Sequence, residues 1–396
     1  MPTFFIRRSR AGSTGSLFRR CAPSAAVGLT IAVASSVAFG GAASATATTP
    51  TMAAAAALPA ATAPGTTYTI GPGSNAQTRM QTAMAKLRPG DKLRILPGTY
   101  GMDLRPDLRL AKGTPTQRIT VTAADPARPP LFLGAVNLSG ADWWLFNHIR
   151  IQGNISRRDS LTINSGTGWK ATDLEVFGAK QTGAYSNVNI ARFNGWPNTS
   201  RYVFAFNCVH DAGVEPTRAG SMHDVYVTAV GDNGNALIAR NSLFNSPQGA
   251  AIKVGNGGVA DTPGPQRVQV ANNTMFANGE QVLMFARITD NVVRGNLFVA
   301  STRKLSNGDS VGVYLAGLTR GAAGTRANLI QQNFFSGLTR PLFDNGSQAG
   351  TFTNGGDNNL SAGPRFNNTG CSGFKPADAH AQLYGRYASR SLYVNP

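Results

Sequence analysis

The chain is short of acid. Glutamate occurs three times in 396 residues, at Glu175, Glu215 and Glu280. Paired-carboxylate chemistry therefore depends on Asp211, Asp224 and Asp232, the only closely spaced supply. Histidine occurs four times and cysteine three times. No HExxH, Cys-x-x-Cys, GxSxG or Walker pattern is present, which argues against zinc, serine-nucleophile and nucleotide chemistry. Runs of Lys and Arg and the aromatic-basic motifs of nucleic-acid readers are also missing, so no nucleic-acid partner is expected. The main apolar run, Ala25 to Phe39, is about 15 residues and short of the ~20 that cross a bilayer, so no membrane anchor is expected.

What the N-terminus does hold reads as an export signal, residues 1–45. Arg7, Arg8, Arg10, Arg19 and Arg20 precede that apolar run, and Ala43-Ser44-Ala45 offers small residues for cleavage. The Arg-Arg pairs leave the general and twin-arginine routes both open. Residues 46–66 are mostly Ala, Thr and Pro and read as a disordered leader. A secreted protein is the expectation. The whole chain carries +18, and removing the signal's five arginines leaves +13. Such a surface suits an acidic polymer or adhesion to a cell surface. Cys21 falls in the signal; Cys208 and Cys371 remain, either paired in an oxidising compartment or separately buried.

Abundant Gly (45 residues) and sparse charge (14%) favour a turn-rich β protein. Asn recurs before short apolar strands: "AFNCVH" (Asn207), "ARNSLF" (Asn241), "ANNTMF" (Asn273), "RGNLF" (Asn296) and "QQNFF" (Asn333), at intervals of 34, 32, 23 and 37 residues. "FNHIRI" (Asn147) and "ATDLEVF" (Asp173) extend the series upstream. A unit of this size cannot bury its own apolar face, but stacked units can.

This pattern resembles the right-handed parallel β-helix family, an all-β solenoid of pectate-lyase type, in which a stacked Asn ladder lines a turn. All seven positions are expected to hold the fold. "LRPGDKLRILPGTY" (Leu87 to Tyr100), "GTPTQRITVTAAD" (Gly113 to Asp125) and "VNLSGADWWLFNHIRIQG" (Val136 to Gly153) resemble more narrowly the opening coils of the alginate lyase and chondroitinase B group of polysaccharide lyases. The resemblance implies one β-helix over 67–374. Residues 375–396 are expected to form a tail packed on the last coil as its cap, since an open coil exposes its interior. A monomer is expected.

Reactive residue types concentrate between Cys208 and Asp261. Strands stack about 4.8 Å apart, so setting Asn241 over Asn207 and Asn273 makes "DVYVTAV" and "AAIKVG" neighbours, with Tyr226 or Thr228 beside Lys253. The next coil, "LMFARI", brings Arg287 to the same sheet. β-Elimination at a uronic acid needs a neutralised carboxylate, a base at the C5 proton and an acid for the leaving oxygen. Lys253, Tyr226, His223 and Arg287 are the catalytic candidates. His210 and Arg240 are candidate substrate-binding residues, and Asp211, Asp224 and Asp232 candidate ligands for calcium, which could neutralise the carboxylate. In the lyase group that resemblance points to, one coil carries a Glu and a Lys and the next an Arg in an apolar run. Here Lys253 takes the Arg place, while Thr228 or Ala229 stands where the Lys is expected. Elimination on an acidic polysaccharide is the leading reading; a non-catalytic polysaccharide- or surface-binding protein is the second, and a glycoside hydrolase the third.

Overall fold

The computed structural model describes residues 65–104, 110–153, 158–179, 185–192, 197–213, 222–255, 263–285, 288–301, 310–316, 327–344, 352–354, 359–361, 366, 370–377 and 379–388. The predicted signal and nearly all of the predicted leader lie outside them, as does Arg287.

From Thr67 onward short strands repeat and stack in parallel. Among the described residues one sheet has eleven strands, from Thr67–Ile70 through Lys170–Thr172 and Gly231–Ala239 to Phe352–Asn354. Apart from a separate two-stranded pair, Gly166–Thr167 with Thr199–Ser200, the remaining described strands form two more stacks, joined through the long strand Leu131–Ser139. Its first half pairs with Arg150–Gln152, which leads through Glu175–Phe177, Cys208–His210, Ser242–Phe244, Thr274–Asn278 and Leu297–Ser301. Its second half pairs with Leu161–Asn164, which leads through Ser186–Ala191, His223–Val227, Ala250–Gly255, Glu280–Phe285, Val311–Ala316 and Arg340–Asp344. These are the second and third sheets of a parallel β-helix. Period-two alternation drives it: Val225, Val227, Ile252, Val254, Val282, Met284, Val313 and Leu315 turn inward and are at most 1% exposed.

The all-β expectation needs one addition. Ala76–Lys86 is an α-helix whose Met80 and Met84, four apart, reach the interior beside Leu104, Val121 and Phe132. It covers the apolar interior at the first coils.

The Asn ladder is present at five of the seven positions. Backbone N–H of Leu174 donates to Asn207 Oδ1 at 2.9 Å, and the same bond repeats from Asn207 to Asn241, Asn241 to Asn273, Asn273 to Asn296 and Asn296 to Asn333 at 2.9–3.0 Å. Each Nδ2 also donates to a backbone carbonyl of the neighbouring coil, as Asn273 does to Ile238 at 2.9 Å. Asn147 and Asp173 do not belong to it. The register places Ile149 and Leu174 in the ladder slot of those coils. Asp173 occupies the preceding left-handed turn position, φ 53°, together with His148 (55°), Phe206 (62°), Arg240 (54°), Asn272 (54°) and Gln332 (54°). Asp tolerates that conformation, which is why it imitates a ladder residue in the sequence. A second ladder, absent from the sequence series, links Val268 N–H to Asn291 and Asn291 N–H to Asn328, at 2.9 and 3.1 Å.

The tail differs from its expected place. Its described part lies across the outer face of the second sheet instead of on the last coil. Phe374 meets Phe244 at 4.8 Å and Phe276 at 5.5 Å, while Ala381 and Tyr384 pack with Leu297, Val299 and Phe334. The outer face there is aromatic and apolar and must be covered, which a cap on one end would leave exposed. Cys208 and Cys371 are disulfide-bonded and fix the start of this segment. Arg386 pins it further: its guanidinium donates to the carbonyls of Phe206 (3.1 Å), Asn207 (3.3 Å) and Cys371 (3.3 Å).

Candidate functional site

The third sheet gathers three of the four catalytic candidates, Lys253 and Tyr226 side by side and buried His223 against the Tyr226 ring. Alternation turns Lys253 outward between buried Ile252 and Val254, and Tyr226 is its register partner on the preceding coil. Lys253 Nζ lies 4.4 Å from the centre of the Tyr226 ring and 5.3 Å from that of Phe285. The amine is half-buried and, among the described residues, makes no ion pair. Burial pulls its pKa down to about 8, with Glu280 opposing the shift. A useful fraction of Lys253 is thus the neutral amine near physiological pH.

His223 is buried, its ring 5.4 Å from that of Tyr226. Its Nδ1 accepts the backbone N–H of Ala250 at 2.9 Å, so the neutral imidazole carries its proton on Nε2. The contact fixes His223 behind Tyr226. Tyr226 is itself 5% exposed, held between His223, Lys253 and, at 6.5 Å, Tyr185.

One coil earlier is a polar network that the sequence reading did not name. Thr228 donates to Asn189 Oδ1 at 3.1 Å, and Asn189 donates to Asp159 Oδ2 at 2.9 Å. Asp159 Oδ1 accepts the N–H groups of Tyr185 and Ser186, both at 2.8 Å. Burial raises the Asp159 pKa against these donors. Asn189 is in register with Tyr226, so extending the Lys253 column by one coil would have found it. Asp159 lies on a segment with no Asn signal and could not be placed that way.

The two candidate substrate-binding residues lie elsewhere. His210 is on the second sheet, stacked between Phe177 and Phe244 at 5.0 and 4.8 Å. Its ring nitrogens meet Asp211 at 2.7 Å and Glu175 at 3.3 Å. Burial opposes its charge, but the hydrogen bonds to those two carboxylates and the charges of Asp211 and Asp224 prevail and raise its pKa to about 9. Glu175, bonded to His210 and Arg150 despite its own burial, is held down at about 2. This is a half-buried ion cluster. Arg240 donates to the carbonyl of Ala388 at 2.9 Å and leans on Phe206, so it clamps the tail. The role of Arg240 follows from where the tail folds back, and that of His210 from side chains on the two neighbouring coils.

The three calcium candidates do not converge. Asp211 is bonded to His210 and Asn245; Asp232, exposed near the start of the first-sheet strand Gly231–Ala239, is paired with Arg267. Asp224 is fully buried on the third sheet, accepting from Ser246 at 2.5 Å and Asn187 at 3.2 Å, and burial raises its pKa well above the carboxylate range. Bonded to separate protein partners, these acids do not make an oxygen cage for calcium among the described residues. The described residues that do cluster in ligand-like fashion are Cys208, His210 and Cys371, whose two sulfurs are bonded to each other.

No family model matches the chain, and no curated protein matches it. Solved structures do. An alginate lyase from Paenibacillus sp. str. FPU-7 superposes with a TM-score of 0.53 at 16% identity, over 74% of this chain and 98% of that one. The pectate lyase Pel9A gives 0.47 at 11%, over 74% and 80%, and a PL6 family alginate lyase 0.44 at 12%, over 81% and 56%. The chain shares the pectate-lyase-like parallel β-helix fold with the first of these.

Proposed function

We propose that the protein is an exported lyase that cleaves an acidic polysaccharide by β-elimination on the outer face of the third sheet. The observation that carries this reading is Lys253: a half-buried amine with a pKa near 8, lying against the ring of Tyr226. Such a lysine is poised to exchange protons near neutrality. Both strands are ladder-registered, so the pair is held without loop motion.

In the proposed step neutral Lys253 removes the C5 proton of a uronate. The C5–H electrons become the C4–C5 double bond and the bond from C4 to the glycosidic oxygen breaks. That oxygen takes the Tyr226 phenolic proton, and passage of the proton gained by Lys253 to the Tyr226 phenolate, directly or through solvent, restores both groups. His223, fixed through Ala250, orients the Tyr226 ring. Arg287, two residues beyond Phe285, is assigned to the substrate carboxylate. The net positive charge of the chain favours capture of a polyanion. The step as proposed uses no calcium.

The test is the ultraviolet absorbance of the unsaturated product during incubation with alginate, pectate, chondroitin and hyaluronan. Lys253→Ala is expected to lower kcat about 10²-fold or more, the usual contribution of a general acid or base. Undiminished turnover in that variant would remove Lys253 from the mechanism.

A further inference from the structure

Beyond Lys253 the outer face of the third sheet stays aromatic, where a solvent-facing sheet ordinarily turns polar. The register continues Lys253 into Leu283, Tyr314 and Phe343 on successive coils. Phe285 and Tyr314 pack together against Leu283 and Ala316, outside the core. The Tyr314 and Phe343 rings are 5.3 Å apart, tilted by 42°. The guanidinium of Arg340 stands 5.1 Å over the Phe343 ring. The interior of these coils is already filled by Val282, Met284, Val313 and Leu315, so the outer rings are not needed for the core. Tyr314 and Phe343 remain half-buried and Arg340 exposed.

A line of partly exposed rings, about one per strand and ending on a cation, has the chemistry of a track for a chain of pyranose rings bearing carboxylates. The apolar C–H face of a sugar packs on an aromatic ring, and a carboxylate pairs with a guanidinium. Neighbouring strands are about 4.8 Å apart, so three strand steps put Phe343 roughly 14 Å along the axis from Lys253. We infer that Tyr314, Phe343 and Arg340 form a distal subsite for a uronate polymer, with Arg340 holding a substrate carboxylate some three sugar units from the bond that Lys253 acts on. The inference rests on the lyase reading for the position of that bond and adds to it a direction of binding, along the solenoid axis, and a preference for longer chains.

The experiment uses the mature full-length chain with alginate and pectate oligomers of three and six units, and a neutral cellulose hexamer as control. Binding is measured by calorimetry in the Lys253→Ala background, where the chains stay intact; product formation is measured with Lys253 present. The acidic hexamer is expected to bind about tenfold more tightly than the trimer, a difference of about 1.4 kcal/mol. Arg340→Gln and Phe343→Leu are each expected to erase that advantage and leave the trimer unaffected, with unchanged melting temperature. In turnover the same variants raise KM for the hexamer and leave kcat in place.

Equal binding of trimer and hexamer, or of the acidic and neutral hexamers, overturns the subsite, as does an Arg340→Gln protein that keeps the parent's preference. Arg340-dependent hexamer binding without unsaturated product leaves the subsite standing and removes the lyase reading. Unsaturated product formed at one rate from every chain length does the reverse.

Discussion

At the scale of single residues the decisive feature is how burial and neighbours set proton affinity. Lys253 is depressed from 10.5 to about 8 by burial. Its neutral form is the proposed base, so kcat/KM is expected to rise through about pH 8 and then level; a profile flat from pH 6 to 10 would contradict that role. The unfolded chain binds the lysine proton up to its ordinary value of 10.5, so stability is also expected to increase between about 8 and 10.5. His210 behaves oppositely. Raised from 6.5 to about 9, it contributes stability that is complete below 6.5 and lost as pH rises through about 9. Urea melts of the His210→Gln variant should show that loss removed from this window; an unchanged pH profile would mean that the cluster with Asp211 and Glu175 adds nothing.

At the scale of elements, ladder and tail carry the architecture. Asn273 lies in mid-ladder, fully buried, with its Oδ1 accepting from Asn241 and its Nδ2 donating to Ile238 and Asn296. Asn273→Leu leaves the Asn241 N–H and the Ile238 carbonyl without their partner, at a cost of about 1–3 kcal/mol each, enough for a clear drop in melting temperature. A melting point equal to the parent's would show that the ladder is not what secures the turn. Reducing the Cys208–Cys371 disulfide is expected to cost about 2–4 kcal/mol and to open the tail to protease. Protection of the tail after reduction would assign its docking to Phe374 and Arg386 alone.

The ladder is also what made the sequence legible. Asn pays for its burial only where its amide is fully bonded, so it recurs at one phase, and aligning on it put Tyr226 or Thr228 beside Lys253, of which the register selects Tyr226. The alignment failed where another residue type filled the slot, Ile149 and Leu174, and where Asp173 suited the left-handed turn one position earlier. Arg240 was misread because its partner Ala388 approaches from 148 residues away, and His210 because its contacts with Phe177, Phe244 and Glu175 come from the neighbouring coils.

At the scale of the molecule, the β-helix supplies a regular outer surface on which each coil adds one position to a track, and Lys253 stands within it between the polar network at Asp159 and the aromatic run to Arg340. Similar solenoids host several reactions, so the fold limits the substrate's shape and leaves the chemistry to these side chains. The most direct measurement is the ultraviolet absorbance of the mature chain with a panel of alginate, pectate, chondroitin and hyaluronan, with and without calcium. The account predicts a rise with at least one uronate polymer, undiminished by chelator and abolished in Lys253→Ala. Reducing ends released without that absorbance would establish hydrolysis in place of elimination, and a trace equally strong in the Lys253→Ala variant would place the chemistry elsewhere on the molecule.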